Sequence, residues 1–278
     1  MGYRLATVDE RAALVDDSSY YDIATVTGGD LGPDPVHAIA SGAVLHELAD
    51  RLADLEPTGT LADVALGPPV PRPRNSLAIG LNYRSHVAEA DMEVPEVPLV
   101  FTKFPSCIVG PTADIELRSA TADYEAELEV VIGTAGRDIG ADQAWDHVAG
   151  LTVGQDISDR ALQFAAQPPH FDLGKSRDTY GPIGPWLVSP DLLDDPNALA
   201  ITCDVNGDRR QDGTTAQLIF DVPELVAYIS SIMTLGPGDL IFTGTPDGVG
   251  ATQGRFLEPG DVVTTTIEGI GTMVNRCR

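Results

Sequence analysis

Short apolar segments typical of β-strands dominate this sequence, and they do not alternate regularly with helical segments. Strands are predicted at 4–8, 12–15, 20–26, 77–81, 99–103, 125–133, 150–155, 199–205, 240–243 and 262–267. Helices are predicted at 36–54, 83–90, 158–166 and 222–234, the third with Ser158 as its N-cap. Doubly wound sheets and α/β barrels need regular alternation, so the sequence argues against both and predicts a mixed α+β fold.

A proline-rich stretch separates the first quarter of the chain from the rest. Five prolines lie between residues 57 and 73. Because proline fixes φ and removes an amide donor, this stretch is predicted to be an extended linker. We therefore expect a small N-terminal α+β domain over 1–70 and a larger domain over 71–278.

The chain is strongly acidic, with a formal net charge of −25 and only two lysines, Lys103 and Lys175. Binding to nucleic acid needs a basic patch, and an anionic membrane repels an acidic surface, so neither is an expected partner. High salt screens the self-repulsion of such a surface. We hypothesise a halophilic source; an ordinary acidic protein from a GC-rich genome is the alternative.

The sequence carries no pattern for secretion, membrane insertion or zinc binding. Its N-terminus opens directly into a strand pattern rather than a signal peptide, and no apolar run approaches the ~20 residues that cross a bilayer. A cytoplasmic location is therefore expected. The three cysteines, Cys107, Cys203 and Cys277, lack the spacing of zinc ligands and are predicted to be small buried residues.

Three glutamates occupy alternate positions of the predicted strand 125–133: Glu125, Glu127 and Glu129. Alternate side chains share one face of a strand, so the carboxylates repel each other unless water or a cation lies between them. Carboxylate oxygens suit Mg²⁺, Mn²⁺ or Ca²⁺ better than zinc. Taken alone, the pattern is more often the charged outer face of an edge strand.

Asp156, His86 and Glu89 are further candidate functional residues. Asp156 follows a predicted apolar strand, where an aspartate is either a helix cap or a third metal ligand. His86 and Glu89 are three residues apart and so share a helix face. A carboxylate beside an imidazole raises its basicity, and such a pair can take a proton from water. A surface ion pair is the alternative.

Two glycine-rich segments, 174–179 and 243–250, could bring backbone amides close to an anion. Lys175 lies within the first of them. The spacing of a nucleotide-binding P-loop is not matched. Two tight turns explain the same glycines equally well.

The order of these motifs along the chain resembles that of the fumarylacetoacetate hydrolase family. The likeness runs from about Leu77 to Arg278 and is carried by residues 80–89, 101–111, 124–128, 154–158, 174–179, 205–211 and 237–246. It implies a mixed β-sheet roll or barrel as the α+β catalytic domain, preceded by the small N-terminal domain. It also implies a homodimer.

The resemblance assigns a role to each candidate residue. It implies that Mg²⁺ or Mn²⁺ is bound by Glu125, Glu127 and Asp156. It implies that His86 and Glu89 activate water or move a proton, that Lys175 stabilises developing negative charge, and that the substrate is contacted by Gln163, Gly244 and Thr245. One departure is Gln167, four residues after Gln163, where the name-giving hydrolase has a tyrosine of its aromatic pocket.

The resemblance implies an enzyme that acts on a small oxo-acid or 1,3-dicarbonyl substrate. The favoured reaction is hydrolysis of a carbon–carbon bond in an acylpyruvate-like compound, through an enolate that the metal stabilises. The alternatives on the same residues are oxaloacetate decarboxylation and isomerisation of an oxo-dienoate. A non-enzymatic protein that binds cations for structure is a third alternative, although the EF-hand pattern is absent.

Overall fold

The computed structural model describes residues 2–278, which contain eighteen strands and eight α-helices. The strands are β1 Arg4–Val8, β2 Arg11–Val15, β3 Ser19–Asp22, β4 Gly59–Thr60, β5 Leu66–Gly67, β6 Ser76–Gly80, β7 Leu99–Thr102, β8 Ile108–Val109, β9 Ala122–Asp123, β10 Ala126–Ile132, β11 Val148–Gln155, β12 Ser158–Asp159, β13 Gly181–Val188, β14 Ala200–Val205, β15 Asp208–Thr214, β16 Leu240–Phe242, β17 Val262–Ile267 and β18 Gly271–Arg276. The helices are α1 Ile23–Val26, α2 Pro35–Ile39, α3 Gly42–Asp50, α4 Arg84–Glu89, α5 Arg160–Gln163, α6 Phe171–Gly174, α7 Val222–Ile232 and α8 Gly250–Gln253.

Twelve of the strands form one mixed sheet. Its main path runs β4-β3-β2-β1-β13-β11-β10-β16-β6-β7, with β5 beside β1 and β8 beside β13. Most neighbouring pairs are antiparallel, but β16 runs parallel to β6 and β8 parallel to β13. A four-stranded sheet in the order β15-β14-β17-β18 and a pair formed by β9 and β12 complete the structure. This arrangement confirms the predicted α+β fold.

The N-terminal strands continue the large sheet. Strand β1 pairs antiparallel with β13, so that Arg4 lies opposite Val188. The proline-rich stretch contributes β5, which pairs with β1. The division of the chain near residue 70 stays a prediction.

Strand β10 lies inside the large sheet, between β11 and β16, and all seven of its residues are buried. Apolar side chains of the same strands form the main core, which also includes the three predicted buried cysteines. The reading of the glutamate pattern as an exposed edge strand is therefore wrong. Among the described residues, no helix has the length and apolarity needed to cross a membrane.

Helix boundaries differ from the predictions at two polar caps. The predicted strand 20–26 ends at Asp22, whose carboxylate accepts a bond from the Thr25 amide and starts α1. The predicted helix 158–166 shrinks to α5, and Ser158 is wrong as its N-cap because Asp159 accepts the bond from Leu162 N. Both corrections follow from an aspartate that bonds an amide three residues ahead.

Candidate active site

The pairing of β10 with β11 brings the predicted metal ligands together. In this antiparallel pair Ala126 lies opposite Gln155 and Glu127 opposite Gly154. The Asp156 amide donates to the Glu125 carbonyl at 2.9 Å, so the end of β11 meets the beginning of β10. Glu125, Glu127 and Asp156 are all buried, and each offers an oxygen within 4.8 Å of the others. Residues about thirty positions apart thus form one carboxylate cluster.

Three positively charged side chains donate hydrogen bonds to this carboxylate cluster. Lys175 Nζ donates to Glu125 Oε2 at 2.6 Å and to Asp156 Oδ2 at 2.7 Å. Arg160 donates to Glu125 Oε1 at 2.6 Å, and Lys103 to Asp156 Oδ1 at 2.6 Å. Burial alone would raise the pKa of Glu125, but the charges of Lys175 and Arg160 outweigh it and lower that pKa to about 2.

Glu127 differs from Glu125 because its bond in the cluster comes from a backbone amide, Gly244 N at 2.8 Å. Burial, together with the charges of Asp156 and Glu125, raises the pKa of Glu127 well above its ordinary value. Negative charge at this point is therefore only partly balanced. A divalent cation would balance it, and three carboxylate oxygens match the donors that Mg²⁺ and Mn²⁺ prefer.

His86 and Glu89 lie beside each other on α4, as their spacing predicted. His86 Nδ1 is 3.6 Å from Glu89 Oε2, which is longer than a hydrogen bond. Glu89 is held from its other side by Gly248 N at 3.0 Å and by the Thr252 hydroxyl at 2.6 Å. The carboxylate that faces the imidazole is therefore fixed by hydrogen bonds from Gly248 and Thr252.

A cavity of about 290 Å³ opens onto the cluster. Its lining includes eight charged or polar side chains, namely His86, Glu125, Glu127, Arg160, Gln163, Lys175, Thr245 and Thr252. A potential proton acceptor, a cation and the carboxylates therefore face one space. This volume suits a small molecule rather than a macromolecule.

Two of the predicted substrate-binding residues, Thr245 and Gly244, also make hydrogen bonds within the protein around the site. The Thr245 hydroxyl donates to Ala126 O at 2.8 Å and accepts from Gln211 Nε2 at 2.8 Å. The Gly244 amide is bonded to Glu127. Gln163 lines the cavity and accepts a bond from Arg160 at 3.0 Å. The roles of these residues in substrate binding stay predictions.

Sequence reasoning missed the structural importance of Arg160 and Lys103. Arg160 connects Glu125 to Asp123, which it contacts at 2.7 Å. Its position four residues after Asp156 carries no periodic signal, because the residues between them form a loop and strand β12 rather than a helix. Lys103 is fully buried beneath Asp156. The scarcity of lysine in the chain was the available signal, because such a chain retains lysine where a charge is needed.

The chain is similar to several proteins of known sequence or structure. A family model for fumarylacetoacetate (FAA) hydrolase, C-terminal, matches residues 75–278. The mitochondrial oxaloacetate tautomerase FAHD2B of Bos taurus is 42% identical over 238 residues, which cover 84% of this chain and 76% of the relative. Among solved structures, an HpcE-like protein from Mycobacterium smegmatis has a TM-score of 0.92 at 42% identity and covers 99% of this chain and 98% of its own. Maleylpyruvate hydrolase from Sphingobium sp. SYK-6, solved with manganese(II) and pyruvate, has a TM-score of 0.82 at 31% identity, with coverage of 99% and 98%.

Proposed function

Because the chain belongs to the fumarylacetoacetate hydrolase family, we propose that it is a divalent-metal-dependent enzyme that hydrolyses a carbon–carbon bond in a small acylpyruvate-like acid. The observation that carries this proposal is the convergence of Glu125, Glu127 and Asp156, of which the two glutamates line a cavity together with His86 and Lys175. A protein that binds a cation only for structure needs neither a histidine–glutamate pair nor a lysine at the same site.

In this proposal Glu125, Glu127 and Asp156 hold Mg²⁺ or Mn²⁺. The bound ion supplies Lewis acidity to the carbonyl oxygens of the substrate. The manganese and pyruvate in the related maleylpyruvate hydrolase support a divalent ion beside a pyruvate unit. Lys175 lies between Glu125 and Asp156, where its charge would stabilise negative charge that develops on the substrate.

The His86–Glu89 pair is proposed to handle the proton. His86 takes a proton from water while the water oxygen bonds to the acyl carbonyl carbon, and Glu89 stabilises the imidazolium. The carbon–carbon bond then breaks, and its electron pair remains on the pyruvate fragment as an enolate. His86 returns the proton to that fragment, which leaves a carboxylic acid and pyruvate.

A second candidate is tautomerisation of oxaloacetate, which is favoured by the 42% identity to the bovine tautomerase. The same His86 would move a proton between carbon and oxygen of the substrate, with no water attacking and no carbon–carbon bond breaking. The two reactions share the metal ligands and differ in their products.

The experiment is a product assay on the metal-free protein, obtained with EDTA and then supplied with Mg²⁺ or Mn²⁺. The substrates are acetylpyruvate, fumarylpyruvate and oxaloacetate, followed by loss of enol absorbance and by measurement of pyruvate. Metal-dependent pyruvate release from acetylpyruvate is the expected result. Faster loss of the oxaloacetate enol without pyruvate, and silence with both acylpyruvates, would select the tautomerase. No metal-dependent reaction of any substrate would refute both.

A further inference from the structure

The cavity has an aromatic wall that leads from the carboxylate cluster to the protein surface. Lys175 Nζ lies 5.5 Å from the ring centroid of Phe101. The Phe101 and Phe171 centroids are 5.5 Å apart, and those of Phe171 and Phe164 are 6.2 Å apart, each pair edge to face. Phe164 is 52% exposed. The three rings thus form a continuous row from an ion-paired lysine to solvent.

Other large apolar side chains surround the outer part of the same cavity. Met92 is 54% exposed and Leu99 is 43% exposed, and both line the cavity together with the exposed Phe164. Leaving several large apolar side chains partly in water at one opening is costly unless a ligand covers them. The opening is therefore built to take an apolar group.

The positive charges of the cavity are all close to the cluster. Among the described lining residues, the positively charged side chains are Arg160 and Lys175. Both are bonded to Glu125. A second carboxylate at the outer end of a substrate would therefore meet the aromatic row, without a cation to pair with, in a chain of net charge −25.

We infer that Phe101, Phe171 and Phe164 bind the uncharged alkyl or aryl tail of an acylpyruvate, so that the enzyme selects such substrates over acids that end in a second carboxylate. This inference rests on the proposed function, because it assumes that the 2-oxo acid end lies at the carboxylate cluster. It goes further in naming the substrate class, and it separates this chain's preferred substrates from dicarboxylates such as oxaloacetate.

Binding of substrate mimics tests the inference without turnover. Oxamate presents the head of a 2-oxo acid, and N-hexyl oxamate adds an alkyl tail. N-(5-carboxypentyl) oxamate ends in a carboxylate at similar length. Affinities for the Mn²⁺-loaded protein are measured by calorimetry. We expect N-hexyl oxamate to gain about fourfold in affinity per buried methylene over oxamate. We expect the carboxylate-ended compound to bind at least about tenfold more weakly than N-hexyl oxamate.

The failures of the two proposals are distinguishable in this experiment. If oxamate binds but the hexyl tail adds no affinity, or if the carboxylate-ended compound binds as well as N-hexyl oxamate, the tail site is wrong and the metal site stands. If no compound binds the Mn²⁺-loaded protein, the position of the head at the cluster is wrong, which overturns the proposed function and the inference that rests on it.

A second experiment introduces a positive charge into the row of three phenylalanine rings. Because Phe164 is exposed, the Phe164→Arg variant should fold normally. It should reduce the preference for the hexyl over the carboxypentyl tail by about tenfold or more. The matched control is Ile232→Arg at the end of α7, which is 63% exposed and outside the cavity lining. It should leave the preference unchanged. An unchanged preference in Phe164→Arg would overturn the inference.

Discussion

Asp156 receives both lysines of the chain, one on each carboxylate oxygen. The Lys103 ammonium group also donates to the carbonyls of Lys175 and Tyr180, so all three of its N–H donors have acceptors. Burial lowers the pKa of Lys103, but the charge of Asp156 outweighs this and raises it. Lys103 therefore fixes a proposed metal ligand and the segment that carries the neighbouring lysine.

Replacing Lys103 should cost stability more than replacing a surface cation. Lys103→Met leaves a buried carboxylate oxygen and two carbonyls without their donor, and we expect a loss of about 3–5 kcal/mol in the free energy of unfolding. The measurement is denaturant unfolding. Arg209→Met, which removes an exposed arginine paired with Asp204, is the control and should cost ~1 kcal/mol or less. Equal effects would contradict the role given to Lys103.

Metal binding and proton transfer should separate in two single variants. Glu125→Ala removes one of three clustered carboxylates, so Mn²⁺ affinity measured by calorimetry should be lost. His86→Ala leaves the three carboxylates in place and should retain Mn²⁺ affinity, while turnover falls by about 10²–10⁴-fold. Near-normal turnover in both variants would contradict the assignment of the site.

The acidic residues of the site could be predicted from the sequence, whereas the basic residues that form ion pairs with them could not. The alternation of Glu125 and Glu127 is visible in the sequence because a strand has a period of two. Arg160 and Lys103 become visible as partners only when the pairing of β10 with β11 and the turn after Asp156 are known. Such contacts join residues more than thirty positions apart, which no local pattern encodes.

At the scale of elements, β13 is the longest of the strands that were not predicted from the sequence. It contains Pro182 and Pro185, and proline cannot donate to a sheet ladder. The structure accommodates the second proline where the register between β11 and β13 shifts, because Leu151 pairs with Val188 while Val153 pairs with Gly184. Strands β10 and β11 were predictable because they contain no proline and apolar residues recur along their whole length.

Gly154 on β11 makes room for a buried glutamate on β10. A Cβ atom at Gly154 would overlap the Glu129 carboxylate and lie 2.6 Å from its Cδ. Glu129 is fully buried, so Gly154→Ala should cost about 1–3 kcal/mol in unfolding free energy. In a protein that already carries Glu129→Ala, the additional change Gly154→Ala should cost less unfolding free energy than it does in the wild type. Gly42→Ala, in an open position of α3, is the neutral control. Strict additivity of the two changes would contradict the contact.

Asp22 links β2, β3 and α1 through its carboxylate. Arg11 donates to its two oxygens at 2.7 and 2.9 Å, and this bond is the main reason that the pKa of Asp22 falls to about 2. A lowered pKa in the folded state stabilises the protein above the unfolded value of about 4, and the effect is lost as the pH falls towards 2. Asp22→Asn should therefore lower stability by about 1–2 kcal/mol at pH 7, less than the pKa shift alone implies because Arg11 is partly exposed. Unfolding curves between pH 5 and pH 2 should converge, and a constant difference would contradict this.

At the scale of the whole molecule, one sheet collects strands that span the chain from β1 at Arg4 to β16 at Phe242. The N-terminal strands β1 to β5 therefore belong to the same sheet as β10 and β11, which they join through the pairing of β1 with β13. The homodimer implied by the family resemblance stays a prediction, which light scattering of the purified protein would test.

The net charge of −25 should make stability depend on salt. Raising KCl from about 0.1 to 1 M shortens the screening length from roughly 10 to 3 Å, which weakens the repulsion among surface carboxylates in the folded state more than in the expanded chain. If this surface is adapted to a saline cytoplasm, the melting temperature should rise by on the order of 5 °C or more, since ~1 kcal/mol corresponds to roughly 2–4 °C in a protein of this size. Sucrose at equal osmolality is the control, because it stabilises proteins by exclusion without screening charge. Full stability at low salt, with no further gain from KCl, would favour an ordinary acidic protein over a halophilic one.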